Sequence, residues 1–349
     1  MVTIADVALR AGVGVSTAAR ALSGHGYVAP ATRERVLDTA SELGYVANRV
    51  ARSLRTRSTG MLGLLVADVE NPFYSVIAKQ VESVAKEAGY HVILCNDNDD
   101  GAEEREYLTI LEGMGIEGLI ITPTSRNRRD LERLGKKGMA IVQIDRQVKG
   151  LRTDVILTDN EGGARAAVDH LVAKGHTRIG ILAGPEDVTT GWTRFEGFVA
   201  AMTAHGLEVP PERVRRCSFR RDHAVQEARA LIDGPDRPTA IFAANNILAE
   251  SCLLAIDELG LRVPTDISLV AFDDMPWMAM TSPKLTAIRQ PVADMARTAT
   301  DLILRRLRDD VDEASTLVFQ PQLIERGSVA ALNRRSAGRR AADAAGRQR

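Results

Sequence analysis

Residues 3–22 read Thr3-Ile4-Ala5-Asp6-Val7-Ala8-Leu9-Arg10-Ala11-Gly12-Val13-Gly14-Val15-Ser16-Thr17-Ala18-Ala19-Arg20-Ala21-Leu22. Thr3 is placed to cap a helix, with Asp6 three residues on as the acid of a capping box. Ile4, Val7, Ala8 and Ala11 follow at helical spacing, and Gly12 suits the left-handed position that ends a helix. After the turn Gly12-Val13-Gly14, the spacing predicts a second helix from about Val15 to Leu22. Two short helices joined by a Gly-containing turn of this length form a helix-turn-helix. A third helix follows: Pro30 suits its first turn, Val36, Ala40 and Leu43 share a face, and Gly44 stops it.

Outward from this head, the 349 residues are more than one core usually covers, so two or three domains are expected. Apolar content of 45% with 26% charged residues marks an ordinary globular chain rather than a disordered one. No apolar run approaches the ~20 residues that span a bilayer, so no membrane partner is expected. The N-terminus has no basic stretch followed by an apolar one, which predicts a cytoplasmic protein. Cys95, Cys217 and Cys252 are odd in number and far apart, which argues against disulfide and zinc frameworks. The net charge of −1 hides an asymmetry: residues 1–60 carry eight arginines against four acids, so the head is basic on an acidic body. That pattern fits a polyanion partner for the head.

Several blocks stand in order: Thr3-Ile4-Ala5-Asp6-Val7-Ala8, Ala11-Gly12-Val13, Ser16-Thr17, Arg20-Ala21-Leu22, Thr32-Arg33-Glu34-Arg35-Val36, Glu42-Leu43-Gly44-Tyr45 and Asn48-Arg49-Val50-Ala51-Arg52-Ser53-Leu54. Here the chain resembles the lactose-repressor (LacI/GalR) family of transcription regulators, and the resemblance continues to about Val329. It implies palindromic operator DNA, a homodimer and a small-molecule effector as partners. In such docking the second helix enters the major groove with its N-terminal residues on base edges. The resemblance makes Val15, Ser16 and Arg20 the readers. Arginine can pair bidentately with guanine, serine can donate or accept, and an apolar side chain can cover a thymine methyl. Thr3 belongs to the same DNA-binding set, and the hydroxyls of Thr17 and Tyr45 suit phosphates. Asn48 can cap a two-turn segment too short to be helical alone. By resemblance it is a hinge helix, whose Leu54 is wedged between base steps in the minor groove with Arg55 beside it. Gly14 stands where the family often has a serine cap, and Ala18-Ala19 where Val-Ser is usual, so this domain should be stabilised partly by its operator.

From Met61 onward, β-rich runs alternate with amphipathic helices. The strand-like runs are 62–67, 91–95, 118–122, 141–144, 178–182, 240–243 and 268–272. The helical stretches include Phe73/Ile77/Val81 at four-residue spacing, 161–174, 223–233 and 246–259. Such alternation means doubly wound parallel sheets, which bind ligands beyond the carboxyl ends of their strands. No dinucleotide fingerprint, phosphate loop, zinc-protease pair or nucleophile elbow occurs, so no cofactor, no metal, no catalytic residue and no enzyme is expected.

By resemblance the body is a periplasmic-binding-protein-like core of two lobes joined by three crossings, near Asp159-Asn160, Gln290-Pro291 and Gln320-Pro321. The fold class is thus an all-α helix-turn-helix domain plus two α/β lobes. The expected divisions are residues 1–46 for DNA binding and 47–59 for the hinge. The N-terminal lobe takes 60–159 and 290–318, the C-terminal lobe 160–289 and 319–331, and a basic tail 332–349. The cleft motifs place Asn71, Phe73, Asp145, Arg146, Arg194, Phe219, Asn245 and Asp273 at the effector. Carboxylate, amide and guanidinium groups pair with vicinal hydroxyls while aromatic rings cover a sugar's apolar faces, which favours a carbohydrate or derivative. Two arginines leave room for a sugar phosphate or acid, and a purine is less favoured. A transport-type solute-binding protein shares the body but would need a signal peptide and would lack residues 1–59.

Overall fold

The computed structural model describes residues 2–24, 26–45, 59–234, 236–309 and 313–332. The expectations for Asn48, Leu54, Arg55 and residues 333–349 lie outside them. Two compact units emerge, Met1–Thr59 and Gly60–Arg349.

In the first unit, α1 (Ile4–Ala11), α2 (Val15–Ser23) and α3 (Pro30–Glu42) follow the predicted punctuation. Thr3 caps α1: Asp6 N–H donates to its hydroxyl oxygen, while the Thr3 N–H returns a 2.8 Å bond to the Asp6 carboxylate. These bonds to Thr3 hold the Asp6 carboxyl below its usual range. Gly12, at φ 66°, ends α1 in the left-handed region a side chain would resist. Gly14 caps α2 without a side-chain bond. Five of the seven buried apolar residues are alanines (Ala8, Ala11, Ala18, Ala21 and Ala40), joined by Val7 and Val36. So small a core contributes little burial energy.

The second unit contains two sheets of identical order. The strands are β1 (Met61–Val66), β2 (His91–Asn96), β3 (Gly118–Ile121), β4 (Ala140–Ile144), β5 (Asp154–Thr158), β6 (Ile179–Ala183), β7 (Val214–Arg216), β8 (Ala240–Ala243), β9 (Ser268–Phe272), β10 (Thr286–Arg289), β11 (Thr316–Phe319) and β12 (Gln322–Ile324). One sheet runs β11-β5-β4-β3-β1-β2 and the other β12-β10-β9-β8-β6-β7. All neighbours are parallel except β12 on β10. The helices alternate with them: α4 (Pro72–Glu87), α5 (Gly101–Gly113), α6 (Arg128–Lys136), α7 (Asn160–Ala173), α8 (Thr189–Ala204), α9 (Arg221–Ile232), α10 (Asn246–Glu258) and α11 (Val292–Arg306). The chain changes sheets after β5, after β10 and between β11 and β12.

The central strands β3, β6 and β9 are buried end to end, as a sheet covered on both faces requires. Gly118 admits the covering helix: a Cβ there would lie 2.8 Å from Ile303 of α11. Asp154 ties that helix down. Fully buried at the start of β5, it accepts from Arg306 Nε at 2.7 Å and from Ser315 N at 2.8 Å. Five strands, β5, β7, β10, β11 and β12, are absent from the sequence expectation. Three of them, β7, β11 and β12, are sheet-edge strands of three or four residues with no buried position, so no covered apolar run marks them in the sequence. No helix among the described residues is long and apolar enough to cross a membrane.

Candidate functional site

The two sheets point their carboxyl ends at one cavity of about 840 Å³. Its walls repeat each other. Asp145 is the first residue after β4 and Asp273 the first after β9, at matching positions of the two sheets. Both adopt positive φ, 67° and 69°. Both donate their N–H to the neighbouring strand, to Ile156 O and Ile288 O, each at 2.9 Å. The left-handed backbone is one that short polar side chains tolerate, and it is enriched at ligand sites.

On the N-terminal lobe, Tyr74 Oη donates to Asp145 Oδ2 at 3.5 Å. Arg146, 4% exposed, is paired with both oxygens of Asp99 and lies 3.8 Å from Asp145. Burial pushes the Asp145 carboxyl up to about 6 against the pull of Arg146 and Arg194, with the charge of Asp273 adding to the rise. Behind them Asp97 and Glu104 are fully buried, and burial with the Glu104 charge lifts Asp97 to about 8. On the C-terminal lobe, Arg194 donates from Nη1 to Ala244 O and from Nε to Asn160 Oδ1, both at 2.7 Å. It lies 3.5 Å from Asp273 and 3.7 Å above the centre of the Phe272 ring.

The eight expected effector residues, Asn71, Phe73, Asp145, Arg146, Arg194, Phe219, Asn245 and Asp273, all line this cavity. Three have other duties as well. Asn71 and Asn245 cap α4 and α10 through their side-chain oxygens. Phe73 is 3% exposed and meets Tyr74 edge-on at 5.1 Å, so most of its ring belongs to the core. Phe219 is half-buried, with Arg146 of the opposite lobe 6.0 Å from its ring centre. Further cross-lobe contacts are Asn246 Nδ2 to Asn71 Oδ1 at 3.1 Å and the ion pair Arg126–Asp187 at 3.2 Å. Tyr74, beside Phe73, and Asn160, at the first crossing, also shape the site, as do Asp99, Asn246 and Gln290, which were not among the sequence candidates. Asp99 had a local signal, the polar run Asn96-Asp97-Asn98-Asp99-Asp100 that begins on the last residue of β2. Gln290 had none beyond its crossing. Among the described residues, no group of three or more His, Cys, Asp or Glu is placed to hold a metal.

In the helical unit, α2 buries Ala18 and Ala21 and exposes the opposite face. Val15, Ser16 and Arg20 are exposed there, and Thr17 is half-buried. Arg20 Nε reaches the Ser16 carbonyl at 3.4 Å, and Tyr45 packs half-buried against the small core. Thr3 is exposed at the start of α1.

Two family models match the chain: "Bacterial regulatory proteins, lacI family" over residues 3–48 and "Periplasmic binding protein-like domain" over residues 168–329. The HTH-type transcriptional repressor PurR of Photobacterium profundum is 34% identical over 334 residues, covering 95% of this chain and 100% of that one. A transcriptional regulator CelR–cellobiose complex superposes with TM-score 0.72 at 30% identity, covering 94% and 100%. The lac repressor dimer bound to operator and an anti-inducer superposes with TM-score 0.83 at 26% identity, covering 95% and 99%.

Proposed function

The chain belongs to the lacI family of bacterial regulatory proteins and is a DNA-binding transcription regulator; from that premise we propose a repressor whose two-fold dimer grips a palindromic operator and answers to a neutral carbohydrate between its lobes. The charge balance of the cleft supports the effector class. Both deep arginines are already engaged, Arg146 by Asp99 and Asp145, Arg194 by Asp273 and two oxygens. Neither leaves charge for a phosphate or an acid, so the two arginines do not argue for an anionic effector. What remains on opposite walls is a pair of acceptor-only carboxylates, Asp145 and Asp273. A ligand between them is served by donors on both sides, as a pyranose or furanose ring offers. The cellobiose bound by the CelR relative is of this class.

A thermal-shift panel tests the reading: D-ribose, D-glucose and cellobiose against glucuronate, sugar phosphates and purine bases. A neutral sugar at 100 times its Kd adds about 2.7 kcal/mol, a rise of several degrees. Shifts confined to phosphates, uronates or purines would overturn it.

The exposed face of α2 supports base reading, and the exposed apolar side chains of Val76, Leu94, Leu254 and Met280 support a face between copies. Selection of bound sites from random DNA should return palindromes, because a two-fold dimer presents two identical readers. Arg20→Ala should relax preference at one base pair per half-site, at about 1–3 kcal/mol per contact. Asymmetric sites would remove the dimer reading, and an unchanged motif would remove Arg20 as a reader.

A further inference from the structure

Five buried residues close a ring of four hydrogen bonds and one ion pair at the base of the cleft. Arg194 Nε donates to Asn160 Oδ1 at 2.7 Å, and its Nη1 lies 3.5 Å from Asp273 Oδ2. Asp273 Oδ1 accepts from Gln290 Nε2 at 2.5 Å, and Gln290 Oε1 accepts from the Thr158 hydroxyl. Asn160 Nδ2 donates to the Thr158 carbonyl at 3.2 Å and completes the circuit. None of the five is more than 7% exposed.

The ring has only one polarity. Arginine is donor-only and the carboxylate acceptor-only, so Asn160 must turn its oxygen to Arg194 and Gln290 its nitrogen to Asp273. The other end of each amide then faces Thr158. Position makes this more than a buried polar cluster. Thr158 ends β5 and Asn160 begins α7, where the chain first changes sheets, and Gln290 follows β10, where it changes back.

We propose that Gln290 and Asn160 are positioning residues for the effector seat. They fix the Asp273 carboxylate and the Arg194 guanidinium directly to two of the three crossings, so seat and interlobe joint form one hydrogen-bonded unit. The functional meaning rests on the reading that Asp273 and Arg194 hold the effector, but the ring can be tested on the ligand-free full-length chain.

Gln290→Glu sets a carboxylate against Asp273, so its melting temperature should fall at pH 7.5 and recover towards wild type as the pH is lowered, because two like charges share the site. Adding Asp273→Asn reverses donor and acceptor, since Asn tolerates the same left-handed backbone and can donate to the carboxylate introduced at position 290. The double variant should melt above the sum of the single shifts by about 2–4 °C, with a flatter pH profile than Gln290→Glu alone. Additive shifts with the same profile in both backgrounds would overturn the contact. Gln290→Met, which keeps the volume, covers the case in which the charged variant does not fold. It should speed amide exchange at residues 158–160 as well as at Gln290 and Val292. Unchanged exchange at 158–160 would break the link between the crossings. A sugar panel without binders would sink the effector reading and leave this result standing.

Discussion

Arg194→Ala should abolish effector binding, with a loss of at least about 100-fold. Removing one partner of a buried ion pair typically costs about 3–5 kcal/mol. Here Arg194 also serves Asn160 Oδ1 and Ala244 O and covers the face of Phe272. The substitution leaves the Asp273 carboxylate buried without its countercharge and removes two hydrogen bonds that hold the seat together. Arg194→Lys keeps a charge but replaces a planar fork with a point charge, so it should recover only part of the affinity. Calorimetric titration of whichever neutral sugar the panel returns gives the number. An affinity within threefold of wild type in Arg194→Ala would move the site elsewhere. The wild-type titration should also depend on pH. Asp145 is pushed up to about 6, chiefly by burial, so sugar affinity should fall between pH 7 and pH 5 as that acceptor is protonated.

Asp154→Asn should produce the larger change in stability, about 3–5 kcal/mol at pH 7. Asp154 is fully buried and receives two bonds from Arg306 and two from Ser315. Burial alone would raise its pKa, but these bonds outweigh it and hold the carboxyl below its usual range. A depressed folded-state pKa contributes stability above the unfolded value, near 4, and that stability is lost as pH falls through the folded value. The gap between wild type and Asp154→Asn in urea denaturation should therefore be full at pH 7 and narrow below about pH 4. A gap independent of pH would assign the effect to geometry rather than charge.

The helical head was legible residue by residue because its signals are local. Thr3 with Asp6 and Gly12 act within one turn of the helix they bound, and the spacing of Val7, Ala8 and Ala11 sets the buried face without reference to the rest of the chain. The central strands were legible for a similar reason: runs such as Leu269-Val270-Ala271-Phe272 are apolar throughout because both faces of the sheet are covered. The edge strands β11 and β12 were not, since three or four residues with no buried position among them carry no apolar run and exist only by pairing.

By itself the sequence determined which chemical groups stand at strand ends: Asp145 and Arg146 after β4, Asp273 after β9, Asn71 and Asn245 at helix starts. Those are decided by neighbours a few residues away. Whether a group is free to meet a ligand was decided only by the tertiary structure. Arg146 looked available for an anion until Asp99, 47 residues distant, was found against it. Asp273 looked like one acceptor among several until Gln290 and Arg194 were seen to hold its two oxygens from opposite sides. The physical reason is that charge and hydrogen-bonding capacity belong to a buried pair rather than to a residue. The partner is supplied by sheet order and chain crossings, which no local spacing encodes.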